Sequence, residues 1–421
     1  PDGPDVGPVA PPDTDPATPP GGGTVAPADP DVRVSKSVEN LTAPGAKVTH
    51  LGDRLRYAIE LSNAGPADSC LMGAAISDPL PVGMEPVPGS IRLAVDGGKP
   101  VAVDDAAYDR GSRTVAVACG DLWGGHGAVL TFECTVGEAA LGANVANIAL
   151  GHGKVPSENP GTRPEAPEPG GPAEPPAGEP EAFSPPATPP TLVGEDPGEG
   201  DIAIGKTAEN LSRGDGTTHV GDTVRYEIAL SNEGAGTSWM DAVIRDDVPE
   251  GLEPVAGTLR LTLPDGTEVA VDDRAYDPAA RVLAVACGHL HGGQAAVLSF
   301  DALVTGAAVG ADIGNVAVGL GTPPSAWDPD GESPEPGAPF DPPGGWGAYE
   351  KSHGRVVSDP AYPPGVDRLG GVIDGEADER TTIAHKLAQT GDALAAIAGT
   401  ALAGALAAAA LALASRRRRT R

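Results

Sequence analysis

Aromatic side chains are scarce in this 421-residue chain, at 3% of positions, while 59 glycines and 46 prolines make up about a quarter of it. That balance argues against one large enzyme core and for small β domains joined by disordered stretches. Basic residues are also few, 28 against 59 acidic ones, for a net charge of −31. Such a surface repels nucleic acid and anionic lipid, so a nucleic-acid partner is excluded. The four cysteines, Cys70, Cys119, Cys134 and Cys287, show no zinc-like spacing, and neither a metal site nor a cofactor is expected. Cys119 and Cys134 flank a Gly-rich turn, where a hairpin would bring them together as a disulfide, but small buried thiols are the favoured reading. Gly-rich phosphate loops, HExxH and GxSxG are all missing, which argues against an ordinary enzyme. The histidines fall mostly in Gly-rich runs ("WGGHG", "HLHGG") and read as solvated. No methionine or signal peptide opens the chain, and the N-terminus reads as processed or trimmed.

What is present is an internal repeat. "VSKSVENL" (34–41) matches "IGKTAENL" (204–211), "LGDRLRYAIELSNAG" (51–65) matches "VGDTVRYEIALSNEG" (220–234), and "GANVANIALG" (142–151) matches "GADIGNVAVG" (310–319). Within each copy, apolar residues alternate with polar ones over short runs, as Tyr57, Ile59 and Leu61 do with Arg56, Ala58 and Glu60. Gly, Pro, Asn and Asp punctuate these runs, the signal of half-buried antiparallel strands. The expectation is an all-β chain with two tandem Ig-like β-sandwiches over 31–155 and 201–321. Residues 1–30 read as disordered, 156–200 as a Pro/Glu-rich linker, and 322–386 as an extended stalk.

One lysine stands out in each repeat. Lys206 alternates with Ile202, Ile204 and Ala208, and it is the only lysine between Asp201 and Gly321. Lys36 has the same setting, between Val34 and Val38. A strand puts residues two apart on one face, so both amines point into a core. A buried ammonium is costly unless paired or deprotonated, so each needs a partner. Asp78, between Ile76 and Leu80, and Asp246, between Ile244 and Val248, share the inward alternation. So do Asn147 and Asn315 near the end of each repeat. In a dry site the lysine shifts toward a nucleophilic amine and the aspartate toward a neutral acid that shuttles protons. The amine can then attack the Asn carbonyl, expel ammonia and leave an intramolecular isopeptide bond. The competing reading is a buried Lys–Asp ion pair with the Asn bonded to a turn.

The opening lysine, "GD.(L/V)RY.I.LSN.G", "D.(L/V)P.G(M/L)EPV" and the closing asparagine resemble the bacterial conserved-repeat "domain of unknown function 11" of large surface proteins. The resemblance implies an Ig-like fold and isopeptide pairs Lys36–Asn147 and Lys206–Asn315, as in fimbrial and adhesin domains. Asp78 and Asp246 as the proton shuttles follow from strand alternation.

The C-terminus carries "LAQTG" (Leu387, Ala388, Gln389, Thr390, Gly391), an uncharged run over 393–414 and the basic tail 415–421. As a helix that run is roughly 33 Å long, enough to span a bilayer as a transmembrane segment, and arginines 416–419 would hold its end in the cytoplasm. The order resembles the LPxTG-type sorting signal of Gram-positive bacteria, in the LAxTG form of actinobacterial sortases. It implies a sortase partner, cleavage after Thr390, transfer of Thr390 to peptidoglycan, and a secreted, wall-anchored protein. Two further features compete for function. The clusters Asp104, Asp105, Asp109 and Asp272, Asp273, Asp277 are weak Ca²⁺ candidates against plain turns, and with them stands an alternative as a metal- or glycan-binding surface module. Lys351 as a pilin-polymerising lysine, which would suit an accessory pilus subunit, lacks a surrounding pilin-like motif.

Overall fold

The computed structural model describes residues 27–157, 168–173 and 180–374. The sorting motif, the apolar span over 393–414 and the basic tail lie outside the described residues. Among the described residues no helix is long and apolar enough to cross a membrane. The chain divides into two units, 1–190 and 191–421.

Unit 1 runs β1 (Val32–Asn40), β2 (Val48–His50), β3 (Arg54–Asn63), β4 (Cys70–Pro79), β5 (Met84–Pro86), β6 (Arg92–Val95), β7 (Val101–Ala102), β8 (Tyr108–Asp109), β9 (Thr114–Trp123), β10 (Gly127–Val136), β11 (Leu150–Lys154) and β12 (Ala182–Phe183). Its first sheet has the order β1-β3-β10-β6-β7 with β5 also on β10, and its second the order β12-β11-β4-β9-β8. Unit 2 opens with β13 (Thr191–Val193) and continues β14 (Ile202–Asn210), β15 (Thr223–Asn232), β16 (Ser238–Asp247), β17 (Leu252–Pro254), β18 (Arg260–Thr262), β19 (Glu268–Ala270), β20 (Tyr276–Asp277), β21 (Val282–His291), β22 (Ala295–Val304), β23 (Val316–Thr322), α1 (Trp346–Ser352) and β24 (Gly354–Val357). Its sheets repeat the plan: β14-β15-β22-β18-β19 with β17 on β22, and β20-β21-β16-β23-β24. Each unit is thus the expected two-sheet antiparallel sandwich.

Alternation explains the core. In β3, Leu55, Tyr57, Ile59 and Leu61 are fully buried, while Arg54, Arg56 and Glu60 face solvent. In β15, Val224, Tyr226, Ile228 and Leu230 are buried in the same way. A period of two with one apolar face fixes register, because a slip by one residue would expose the whole set.

β9 and β10 depart from the expected hairpin. They are consecutive, yet β9 belongs to the second sheet and β10 to the first, so the Gly-rich turn between them crosses from sheet to sheet. Cys119 and Cys134 therefore do not face each other, and both remain buried thiols. Burial pushes the Cys119 thiol up to about 12. The "HLHGG" run is also not a solvated loop. It closes β21, where buried His291 holds its Nδ1 2.7 Å from the Ser238 hydroxyl.

The Pro-rich stretches differ most from expectation. Rather than leaving as a free linker and stalk, segments of both wrap the second sheet of their own unit. In unit 1, Gly170 N–H donates to the Ala118 carbonyl and Ala118 N–H to the Gly171 carbonyl. The chain then returns as β12 on β11, at the opposite edge. In unit 2, Gly337 N–H donates to the Ala286 carbonyl, and β24 pairs with β23. Between those contacts Phe340, Trp346 and Tyr349 pack on Val243, Val318 and Leu320, the outer face of the sheet. Bare sheet edges and a bare apolar face are both unfavourable in water, and this strap covers them.

Candidate functional site

The sandwiches bring each lysine, aspartate and asparagine together in the core. Lys36 comes from β1, at the edge of the first sheet, and Asp78 from β4 in the second. The Lys36 ammonium nitrogen is hydrogen-bonded to Asp78 Oδ2, and both side chains are 0% exposed. Asn147 Nδ2 lies 3.4 Å from the same oxygen. Unit 2 repeats the arrangement: Lys206 Nζ is 2.5 Å from Asp246 Oδ2, again with both side chains 0% exposed, and Asn315 Nδ2 is 3.3 Å from that oxygen. The adjacent Asp247 points outward to Arg245.

Two aromatic rings floor each cluster. Lys36 Nζ stands 4.9 Å from the centroid of Tyr57, which stacks on Phe132 at 5.6 Å. Lys206 Nζ stands 5.1 Å from Tyr226 and 5.9 Å from Phe300. The rings attract a cation, but they also exclude water. Burial outweighs the aspartate charge, so each lysine is lowered to about 8. Burial likewise raises Asp78 and Asp246, against the pull of the lysines. Both shifts favour the same state, a neutral amine beside a neutral acid. Among the described residues, the buried Oδ1 atoms of Asp78, Asn147, Asp246 and Asn315 find no hydrogen-bond partner.

Neither asparagine sits within a regular last strand, as the alternation suggested. Asn147 precedes β11 and Asn315 precedes β23, and each pairs its backbone with the strap, at Ala187 and Ala361 respectively. These strap residues were missed in the sequence. The signal was a second repetition inside the Pro-rich segments: "EPGGP" (168–172) with "EPGAP" (335–339), and "FSPPATPP" (183–190) with "VSDPAYPP" (357–364).

The Asp-rich runs form turns. Asp104 accepts from Ala106 N–H, Asp105 from Gly89 N–H, and Asp109 from Gly111 and Ser112 N–H. Asp272, Asp273 and Asp277 repeat this with Arg274, Gly257 and Ala279. Their carboxylates are occupied as caps, and no metal-binding group of acidic, His or Cys side chains occurs among the described residues.

No family model matches the chain, and no curated protein does. The conserved-repeat resemblance thus finds no matching model. Several solved structures are similar. One is the major pilin subunit of Bacillus cereus, at 11% identity over 79% of this chain and 70% of the pilin, with a TM-score of 0.24. Another is the collagen adhesin of S. aureus, at 9% over 79% of this chain and 95% of the adhesin, TM-score 0.20. A third is the C-terminal domain of a Streptococcus agalactiae AgI/II polypeptide, at 11% over 78% of this chain and all of that one (100%), TM-score 0.22. None of these likenesses assigns a function to this chain.

Proposed function

We propose that each unit closes its own isopeptide bond, Lys36 to Asn147 and Lys206 to Asn315, and that the chain is a wall-anchored surface stalk or adhesin-like protein. One observation carries this reading: the same three residue types meet in a fully buried core twice in one chain, where burial lowers each lysine and raises each aspartate. The Lys Nζ attacks the Asn side-chain carbonyl carbon, forming the new C–N bond. The carboxyl of Asp78 or Asp246 donates its proton toward the amide, once the amide is turned to present its oxygen. The carboxylate so formed takes the proton released by the attacking amine and delivers it to the departing nitrogen, which leaves as ammonia, and as the C=O re-forms the oxygen returns its proton to the carboxylate. The acid ends as it began, and each site turns over once. Anchoring through Leu387–Gly391 rests on the sorting-signal order of the sequence.

The intact mass of the folded, full chain tests both parts. Two cross-links make it two ammonias lighter than the sequence, and Lys206→Ala restores one of them after allowing for the substitution. An unshifted mass would remove the cross-link and leave two buried ion pairs. Protein released from cell walls should end at Thr390, and a chain retaining 391–421 there would remove the anchor.

A further inference from the structure

We infer that the Pro-rich strap is the positioning element for the cross-link, so that each bond closes only after the strap has docked. This deepens the isopeptide reading above and rests on it. Both backbone polar groups of Asn147 are engaged by the strap: its N–H donates to the Ala187 carbonyl at 3.0 Å, and its carbonyl accepts from Ala187 N–H at 2.9 Å. Asn315 and Ala361 show the same pair at 3.0 and 2.9 Å. Two residues on, Ala149 N–H donates to Ser184 Oγ at 2.9 Å and Ala317 N–H to Ser358 Oγ at 2.9 Å. The two serines return the bond, their N–H groups donating to the Ala149 and Ala317 carbonyls, each at 2.9 Å.

The spacing shows that these contacts do not come from chain proximity. Ala187 follows Asn147 by 40 residues and Ala361 follows Asn315 by 46, yet both straps land in the same register. In "FSPPATPP" and "VSDPAYPP", serine and alanine supply the N–H donors while the prolines hold the chain extended. The fit is close at the reacting residue in unit 2. A Cβ on Gly314, just before Asn315, would lie 2.6 Å from the Tyr362 ring. Attack on an amide needs the reacting atoms held in a near-attack geometry, and small displacements cost large factors in rate. The strap supplies that hold from outside the sandwich, which makes covalent closure a report that the whole unit has folded.

The test uses the full chain with Ala361→Pro, which removes the N–H that bonds to the Asn315 carbonyl. The expected mass is one ammonia short instead of two, unit 1 serving as internal control, while Ala361→Gly keeps the N–H and stays two short. Hydrogen-exchange protection of β15 and β22 reports whether the sandwich itself remains folded. A folded Ala361→Pro chain still two ammonias short overturns the inference, whereas a wild-type chain of unshifted mass overturns the isopeptide reading instead. If Ala361→Pro unfolds unit 2, Ser358→Ala decides. In chains isolated unfolded, before any bond has closed, ammonia release from unit 2 on first folding should be about tenfold slower in Ser358→Ala than in the wild type, and an unchanged rate overturns the inference.

Discussion

On the inner face of its second sheet, each unit carries the same aspartate bonded to the same lysine and asparagine. On the outer face of that sheet the two units differ. Unit 1 buries Ser77 against His152, with Oγ 2.7 Å from Nε2. The matching positions in unit 2 are Arg245 and Leu320; the guanidinium lies 5.0 Å from the Trp346 ring and pairs with Asp247 and Glu350. A buried polar group needs only some partner, and the outer faces show how readily one partnership replaces another. The inner clusters have not been exchanged in this way. Polar satisfaction alone therefore does not explain them, because each leaves two buried oxygens without partners. The proposed cross-linking reaction, which needs an amine, an acid and an amide, would.

The strongest way to break that identity is Asp78→Asn or Asp246→Asn. Each should leave its own unit one ammonia heavier and the other unit unchanged. Each bond encloses a loop of roughly 110 residues, so by analogy with a disulfide of that span its loss should cost about 4–5 kcal/mol. Calorimetry of the two variants measures this unit by unit.

A smaller effect separates the paired from the cross-linked state. Asn315→Ala removes the electrophile and keeps the Lys206–Asp246 pair. The lysine then has a folded pKa of about 8 against 10.5 unfolded. Between those values the unfolded chain binds the extra proton, so stability should climb as pH rises from about 8 to 10.5. The raised Asp246 works oppositely: its contribution is full below 3.8 and declines as pH rises through its folded pKa. Urea midpoints across pH 7–11 should show the alkaline rise in Asn315→Ala and not in the wild type, whose lysine nitrogen is then an amide. A flat profile in the variant would mean that Lys206 is not held near neutrality.

The smallest effect belongs to the outer face. Ser77→Ala should cost unit 1 about 1–3 kcal/mol in urea, the range for stranding a buried polar partner, here His152. Its ammonia loss should be untouched, since Ser77 faces away from Asp78. A lost cross-link in this variant would show that the two faces are coupled.

Much of the sandwich was legible because burial on one face writes itself as alternation. Asp78 between Ile76 and Leu80 was enough to aim its carboxyl inward, and the same logic aimed Lys36 and Lys206. The β9–β10 crossing was not legible, since a Gly-rich turn looks the same whether it closes a hairpin or changes sheets. The strap was hidden by its own composition. Proline cannot donate to a ladder, so a Pro-rich run reads as linker. Ser184, Ala187, Ser358 and Ala361 are among the donors that let it bind an edge, and their repetition was visible only by comparing the two Pro-rich segments with each other.

The strap also lies downstream of Asn147 and Asn315, outside the loop that each cross-link would close. Tension along a cross-linked chain would bypass the sandwich, travelling from Lys36 across the new bond to Asn147. The strap, together with the short stretch ahead of each lysine, is then the part of each unit free to peel, yielding up to about 3.3–3.6 Å of length per residue and re-docking when the load drops. Each unit would behave as an inextensible block in series with a short recoverable spring.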